Sequence, residues 1–168
     1  MSGEVVEYVH LPSGLALPSL LAKPRRIMVL IEQNVEPEWQ DAVSKRIIES
    51  GCLYMMAWGQ TCSSWDDSVD HANLERFDYG DVPEEDFVMT TWHENEALCE
   101  VFFFARVCAF HPTIALPVLT ILDIREEPRE SAILALHEAE RCGLLEDVPE
   151  DPRSLPLRER FKILLRLQ

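Results

Sequence analysis

Two short segments carry residue types that do chemistry. Ser63-Ser64-Trp65-Asp66-Asp67-Ser68-Val69-Asp70 gathers hydroxyls and carboxylates within one stretch. Neighbouring carboxylates could hold a divalent cation or orient a substrate hydroxyl. The same order also describes a helix start: Ser63 or Ser64 would cap free N–H groups, and the acids would sit near the positive end of the dipole. Trp65 tips the reading slightly toward binding, because an indole on a polar turn wants a pocket or a partner. The second segment is Thr91-Trp92-His93-Glu94-Asn95-Glu96. His93 beside Glu94 at a strand-to-helix junction suits a general base or a metal pair, and it equally suits a capped helix with acids in its first turn. Asp66, Asp67, His93 and Glu94 are therefore the catalytic candidates. Ser63, Ser64, Trp65, Asp70, Trp92 and Asn95 are the binding candidates.

Standard cofactor motifs do not occur. The first apolar run is followed by Glu32-Gln33-Asn34-Val35-Glu36-Pro37, where a dinucleotide fold would carry a glycine-rich turn. An acidic loop there would repel a pyrophosphate. Neither a phosphate-loop lysine nor a nucleophile elbow is present. No cofactor is expected. The five cysteines form no C-x-x-C pair and fit no common zinc spacing, so no metal is expected either. Cys62 is the one thiol placed in a loop beside Ser63, but it lacks a basic neighbour to activate it. An odd number of cysteines without a secretory leader points to a reducing, cytoplasmic setting. His10, His71, His111 and His137 have no chemical company and read as structural or surface residues.

The elements that must position these segments follow from hydrophobic pattern. Ile27–Ile31, Cys52–Trp58, Phe87–Trp92 and Pro117–Ile124 are short apolar runs, as expected of strands buried on both faces. Between them lie helical patterns. The first starts at Pro37 and stops at Gly51. A weaker, acidic one covers roughly residues 64–77. A strong one follows His93-Glu94-Asn95-Glu96 through Leu98, Val101, Phe102, Ala105 and Ala109, and Phe103 and Phe104 widen its stripe. Another runs from Ser131 to Gly143. The alternation predicts a small three-layer α/β fold: a mostly parallel four-stranded sheet with flanking helices, plus a C-terminal helix over 156–167. Residues 1–26 read as an N-terminal arm, with Val5–Leu11 able to form an edge strand. Residues 27–143 form the α/β domain, and 144–168 an acidic linker and basic amphipathic helix. Ligands of such sheets bind beyond the carboxyl ends of the strands, where both segments fall, together with Glu32, Gln33, Asn34 and Asp123.

Charge narrows the function classes. The chain of 168 residues has a net charge of -15. Residues 1–26 carry net +1, residues 27–151 net -20 and residues 152–168 net +4. A body this acidic argues against direct nucleic-acid binding, which needs Lys and Arg against phosphate. It suits a basic protein partner, or the folding of the basic tail back onto the body. No apolar run reaches the roughly 18 residues a membrane helix needs.

Trp58-Gly59-Gln60-Thr61-Cys62-Ser63-Ser64-Trp65-Asp66-Asp67-Ser68-Val69-Asp70 and Val88-Met89-Thr90-Thr91-Trp92-His93-Glu94-Asn95-Glu96 resemble segments of a family of small bacterial proteins of unknown function. The likeness covers roughly residues 27–125. It implies a bacterial or phage source and a core that is one unit, and it transfers no activity.

The expectation that results is a non-catalytic acidic intracellular binding protein, of the immunity, antitoxin or defence-accessory kind, engaging a protein partner. The alternative is a hydrolase or transferase using Asp66, Asp67, His93 and Glu94 at the strand ends, with a divalent metal as an option. A homodimer joined through the Phe102–Phe104 helix is the third reading.

Overall fold

The computed structural model describes residues 4–144, in two compact units. The first unit comprises residues up to 95 together with 109–128. It holds five strands: β1 (Val5–His10), β2 (Arg25–Ile31), β3 (Cys52–Gly59), β4 (Met89–His93) and β5 (Val118–Ile124). Their order in the sheet is β1-β5-β2-β3-β4, and every pairing is parallel. The α/β class and the parallel sheet with its helices are therefore as expected, but the sheet has five strands rather than four. The additional strand comes from the expected arm. Glu7 and Tyr8 interrupt its apolar pattern, and its partner β5 is far away in the chain. The C-terminal helix expected over 156–167 lies outside the described residues. No described helix is long and apolar enough to cross a membrane.

β2 and β5 are buried along their whole length, as their mainly apolar sequences favour, and the polar residues within them, Arg25, Arg26, Thr120 and Asp123, are buried with them. Two helices of this unit, α1 (Pro37–Glu49) and α2 (Cys62–Arg76), cover one sheet face. Ile27, Val29, Ile31, Met55 and Ala57 of the sheet meet Val43, Ile47, Trp65 and Val69 of the helices there. Burying each such aliphatic side chain contributes about 1.5–3 kcal/mol. Pro37 opens α1, where its missing N–H costs nothing. Gly51 ends it with φ +81; a Cβ there would lie 2.6 Å from the carbonyl oxygen of Lys23, so only glycine fits.

β1 is tied into the sheet by charge. The Arg25 guanidinium is 1% exposed and donates to Glu7 Oε2 at 2.8 Å, Thr120 Oγ1 at 2.9 Å and the Ser50 carbonyl at 3.1 Å, and also to the Leu21 carbonyl. Thr120 in turn donates to Glu7 at 3.1 Å. The network thus runs from β2 across β5 to β1. Arg26 pairs with Glu4, and Lys23 with Glu7 at 3.0 Å. Burial disfavours the charged Glu7 carboxylate, but hydrogen bonds from Lys23 and Thr120 and the charges of Arg25 and Lys23 outweigh it, so its pKa lies below the usual value.

The second unit comprises 96–108 and, among the described residues, 129–144. It contains α3 (Leu98–Val107) and α4 (Glu130–Arg141). Glu100 accepts a hydrogen bond from the N–H of Ala97 at 2.9 Å, which closes the start of α3. Phe102 meets His137 edge to face at 5.4 Å, and Arg106 forks onto Glu140 with its shortest bond at 2.7 Å.

Candidate functional site

The two chemistry-bearing segments meet in space. The first forms most of α2 and the second forms β4 and the loop after it. α2 runs back along β4. Its first residue, Cys62, has its thiol within hydrogen-bond reach of the His93 backbone, and eight residues later Thr90 Oγ1 donates to Asp70 Oδ1 at 2.9 Å. From Asp70 to Asp66 the helix climbs about 6 Å, and from Thr90 to Trp92 the strand advances about 6.6 Å. Asp66 and Trp92 therefore lie level on the same side of the sheet.

Strand alternation separates the catalytic candidates. Thr90 and Trp92 project toward α2, whereas Thr91 and His93 project from the opposite face. His93 is 4% exposed, with Thr91 Oγ1 3.2 Å from its Nε2. Asp66 and Asp67 are on α2. The sheet thus stands between the imidazole and the two carboxylates. Glu94 and Asn95 are exposed in the loop, and Asn95 takes a left-handed φ of 61°, which asparagine tolerates. The first helical turn expected at Glu94-Asn95-Glu96 is instead this turn, and α3 begins at Leu98.

The serines do not cap α2. The helix starts one residue before Ser63, and its N-cap, Thr61, is left-handed at φ 50° with no side-chain cap. Ser64 Oγ donates back to the Thr61 carbonyl at 2.8 Å, and the Ser64 carbonyl accepts from Gln40 of α1 at 2.7 Å. Ser63 is exposed. Trp65 is 0% exposed and packs edge to face on Trp39 at 6.3 Å, so it is core and offers solvent nothing. Cys62 is buried, and burial pushes its thiol up, against a nucleophilic role. All five thiols are free.

What remains exposed is acidic and aromatic. Residues 63–96 contain eleven acids and a single base, Arg76. Asp67, Asp70, Asp78, Asp81, Glu84, Glu85, Glu94 and Glu96 are all exposed. Loss of water in the α2–β4 seam lifts the Asp70 pKa, and neighbouring Asp66 and Asp67 add to the lift, while the Thr90 hydroxyl works against it. Trp92 is 51% exposed and Phe87, just before β4, is 53% exposed. The sequence pattern gives Phe87 and Thr90 only as strand residues and 78–86 only as a polar loop, with no signal that they belong to the site. Charge summed over shorter windows would have found that loop.

Among the described residues, no group of three or more His, Cys, Asp or Glu side chains is placed to hold a metal ion. A cleft of about 480 Å³ opens at the amino end of the sheet, lined by Ile48, Leu53, Ile114, Arg76, Glu85 and Asp86 among others. None of the sequence candidates lines it; they lie toward the opposite, carboxyl end. The strand-end position was expected of them, but it joins no catalytic set.

No curated protein and no solved structure matches the chain significantly. One family model does, over residues 6–140, which extends the resemblance seen at 27–125 to β1 and α4. The chain belongs to the family described as a domain of unknown function (DUF7684).

Proposed function

We propose that the protein is a non-catalytic, acidic, intracellular binding module that engages a basic protein partner, as an immunity protein, antitoxin or defence accessory would. The observation that carries this reading is the flank built from α2, the 78–87 segment and β4. It gathers exposed carboxylates around half-exposed aromatic rings, with one base in 34 residues. Such a field steers and orients an oppositely charged partner, while the aromatic rings supply the contact area that charge alone does not. The separation of His93 from Asp66 and Asp67 by the sheet weighs against the hydrolase or transferase reading, because a base must reach the proton it takes.

The test is capture from host lysate with the tagged wild-type protein and with an Asp67→Lys/Glu94→Lys variant, at low and high salt, quantified by mass spectrometry. The expected result is one stoichiometric partner rich in Lys and Arg, held by the wild type at low salt and lost both at high salt and with the variant. A partner that stays at high salt or on the variant overturns the reading, and so does the absence of any stoichiometric partner.

A further inference from the structure

β4 ends the sheet, and among the described residues no strand pairs with its outer side. An open edge offers a row of backbone donors and acceptors to any extended chain. Proteins commonly protect such edges with charge, and the acids around β4 do this against one class of visitor: a second copy of the chain would bring the same negative field to the same edge. They invite a basic chain.

Trp92 does not belong to that protection. A large indole, 51% exposed on an edge strand, works against solubility, and Phe87 beside the strand repeats the pattern. Both rings suit a guanidinium, which stacks on aromatic faces. The protein already uses this contact: Arg76 lies over Phe77 at 5.4 Å and Arg106 over Phe103 at 5.2 Å. Spacing adds a requirement. A strand laid along β4 directs every second side chain to the α2 side, at intervals of about 6.6 Å, and there Thr90, Trp92 and the α2 carboxylates follow one another.

We propose that the outer edge of β4 receives an extended segment of the partner as an added strand, with Arg or Lys at every second position, one of them stacked on Trp92 and others facing the acids of α2. This rests on the acidic-binding reading above and names how the partner is held: backbone bonding gives the register and alternate side chains give the choice.

Two synthetic peptides of equal length and charge test it at low salt: alternating Arg-Thr, which favours an extended chain, and an alanine-based arginine peptide, which favours a helix. Affinity is read by calorimetry, and contact by hydrogen exchange of the β4 amides. The Arg-Thr peptide is expected to bind at least tenfold more tightly and to slow exchange within Met89–Trp92. Trp92→Ala and Asp67→Lys/Glu94→Lys are each expected to weaken it at least tenfold, with the melting temperature of the protein held near that of the wild type. Equal binding of the two peptides, no binding of either, or unchanged β4 exchange at saturation overturns strand addition. Those outcomes leave the acidic-partner reading standing, since that reading falls only by the lysate capture.

Discussion

The two edges of the sheet are held differently. At one edge, β1 is bound by ion pairs that cross a whole strand, with a buried guanidinium at the centre. At the other, β4 is held by its ladder with β3 and by one hydroxyl-to-carboxylate bond to α2, and the acids of α2 and of the flanking loops are exposed around it. Opposite charges placed together fasten an edge. Like charges gathered around an edge leave it available to something else. The same residue type, a carboxylate, serves both purposes, and its neighbours decide which.

The largest expected effect breaks the packing of α2 in the core. Trp65→Ala should destabilise the protein by about 3–5 kcal/mol in urea unfolding, because it opens a cavity beneath α2. Trp92→Ala, on the strand beside it, should cost less than about 0.5 kcal/mol. Similar losses for the two would mean that the exposed indole also serves the fold.

Next comes the fastening of β1. Arg25→Leu should cost about 2–4 kcal/mol, since Glu7 and two backbone carbonyls lose a charged donor. Binding of a basic peptide at β4 should not change. A loss of binding would show that the edges are coupled.

The same fastening should be sensitive to acid. Because the Glu7 pKa is lowered in the folded protein, its stabilisation is complete above its ordinary value of 4.5 and disappears as pH falls through the native value. Glu7→Gln should cost about 1 kcal/mol at pH 7 and flatten the acid limb of a stability-against-pH curve.

The smallest effect has the opposite sign and belongs to β4. The Asp70 pKa is raised, so the folded state holds its proton more tightly than the unfolded one, and stability falls as pH rises from its ordinary value of 3.8 through the native one. Asp70→Asn keeps an acceptor for Thr90 and should stabilise the protein by a few tenths of a kcal/mol at pH 7, measured by thermal unfolding. Destabilisation instead would mean that the charge itself holds the seam.

Fold legibility followed burial. β2, β3 and β5 are read directly from Ile27–Ile31, Cys52–Trp58 and Pro117–Ile124, because a strand buried on both faces is mainly apolar along its length. β1 is not read so directly: Glu7 sits in its middle, and what makes that acid acceptable is Arg25, a side chain on another strand. The candidate site was legible as composition and not as direction. Trp65 and Trp92 look alike in the sequence, each directly after serine or threonine and within two residues of an acid, yet one is core and the other faces solvent. His93 looked like a helix start because the three residues after it are those of a first turn. A left-handed Asn95 and the continued ladder with Trp58 placed it on the strand instead. Periodicity carries no information about which face of a two-sided strand a single residue will take when the strand has only five residues.

The order of strands also sets a timetable for synthesis. β5 lies between β1 and β2, and Thr120, which links them, is 113 residues beyond Glu7. At roughly 5–20 residues per second, a ribosome needs on the order of ten seconds to bring the two together. For that interval the first strand made is the one that must wait, while β2 can pair with β3 on its other side. A nascent chain that stops short of Val118 lacks the one strand that β1 pairs with, so the first strand to emerge has no place in the sheet until β5 is made.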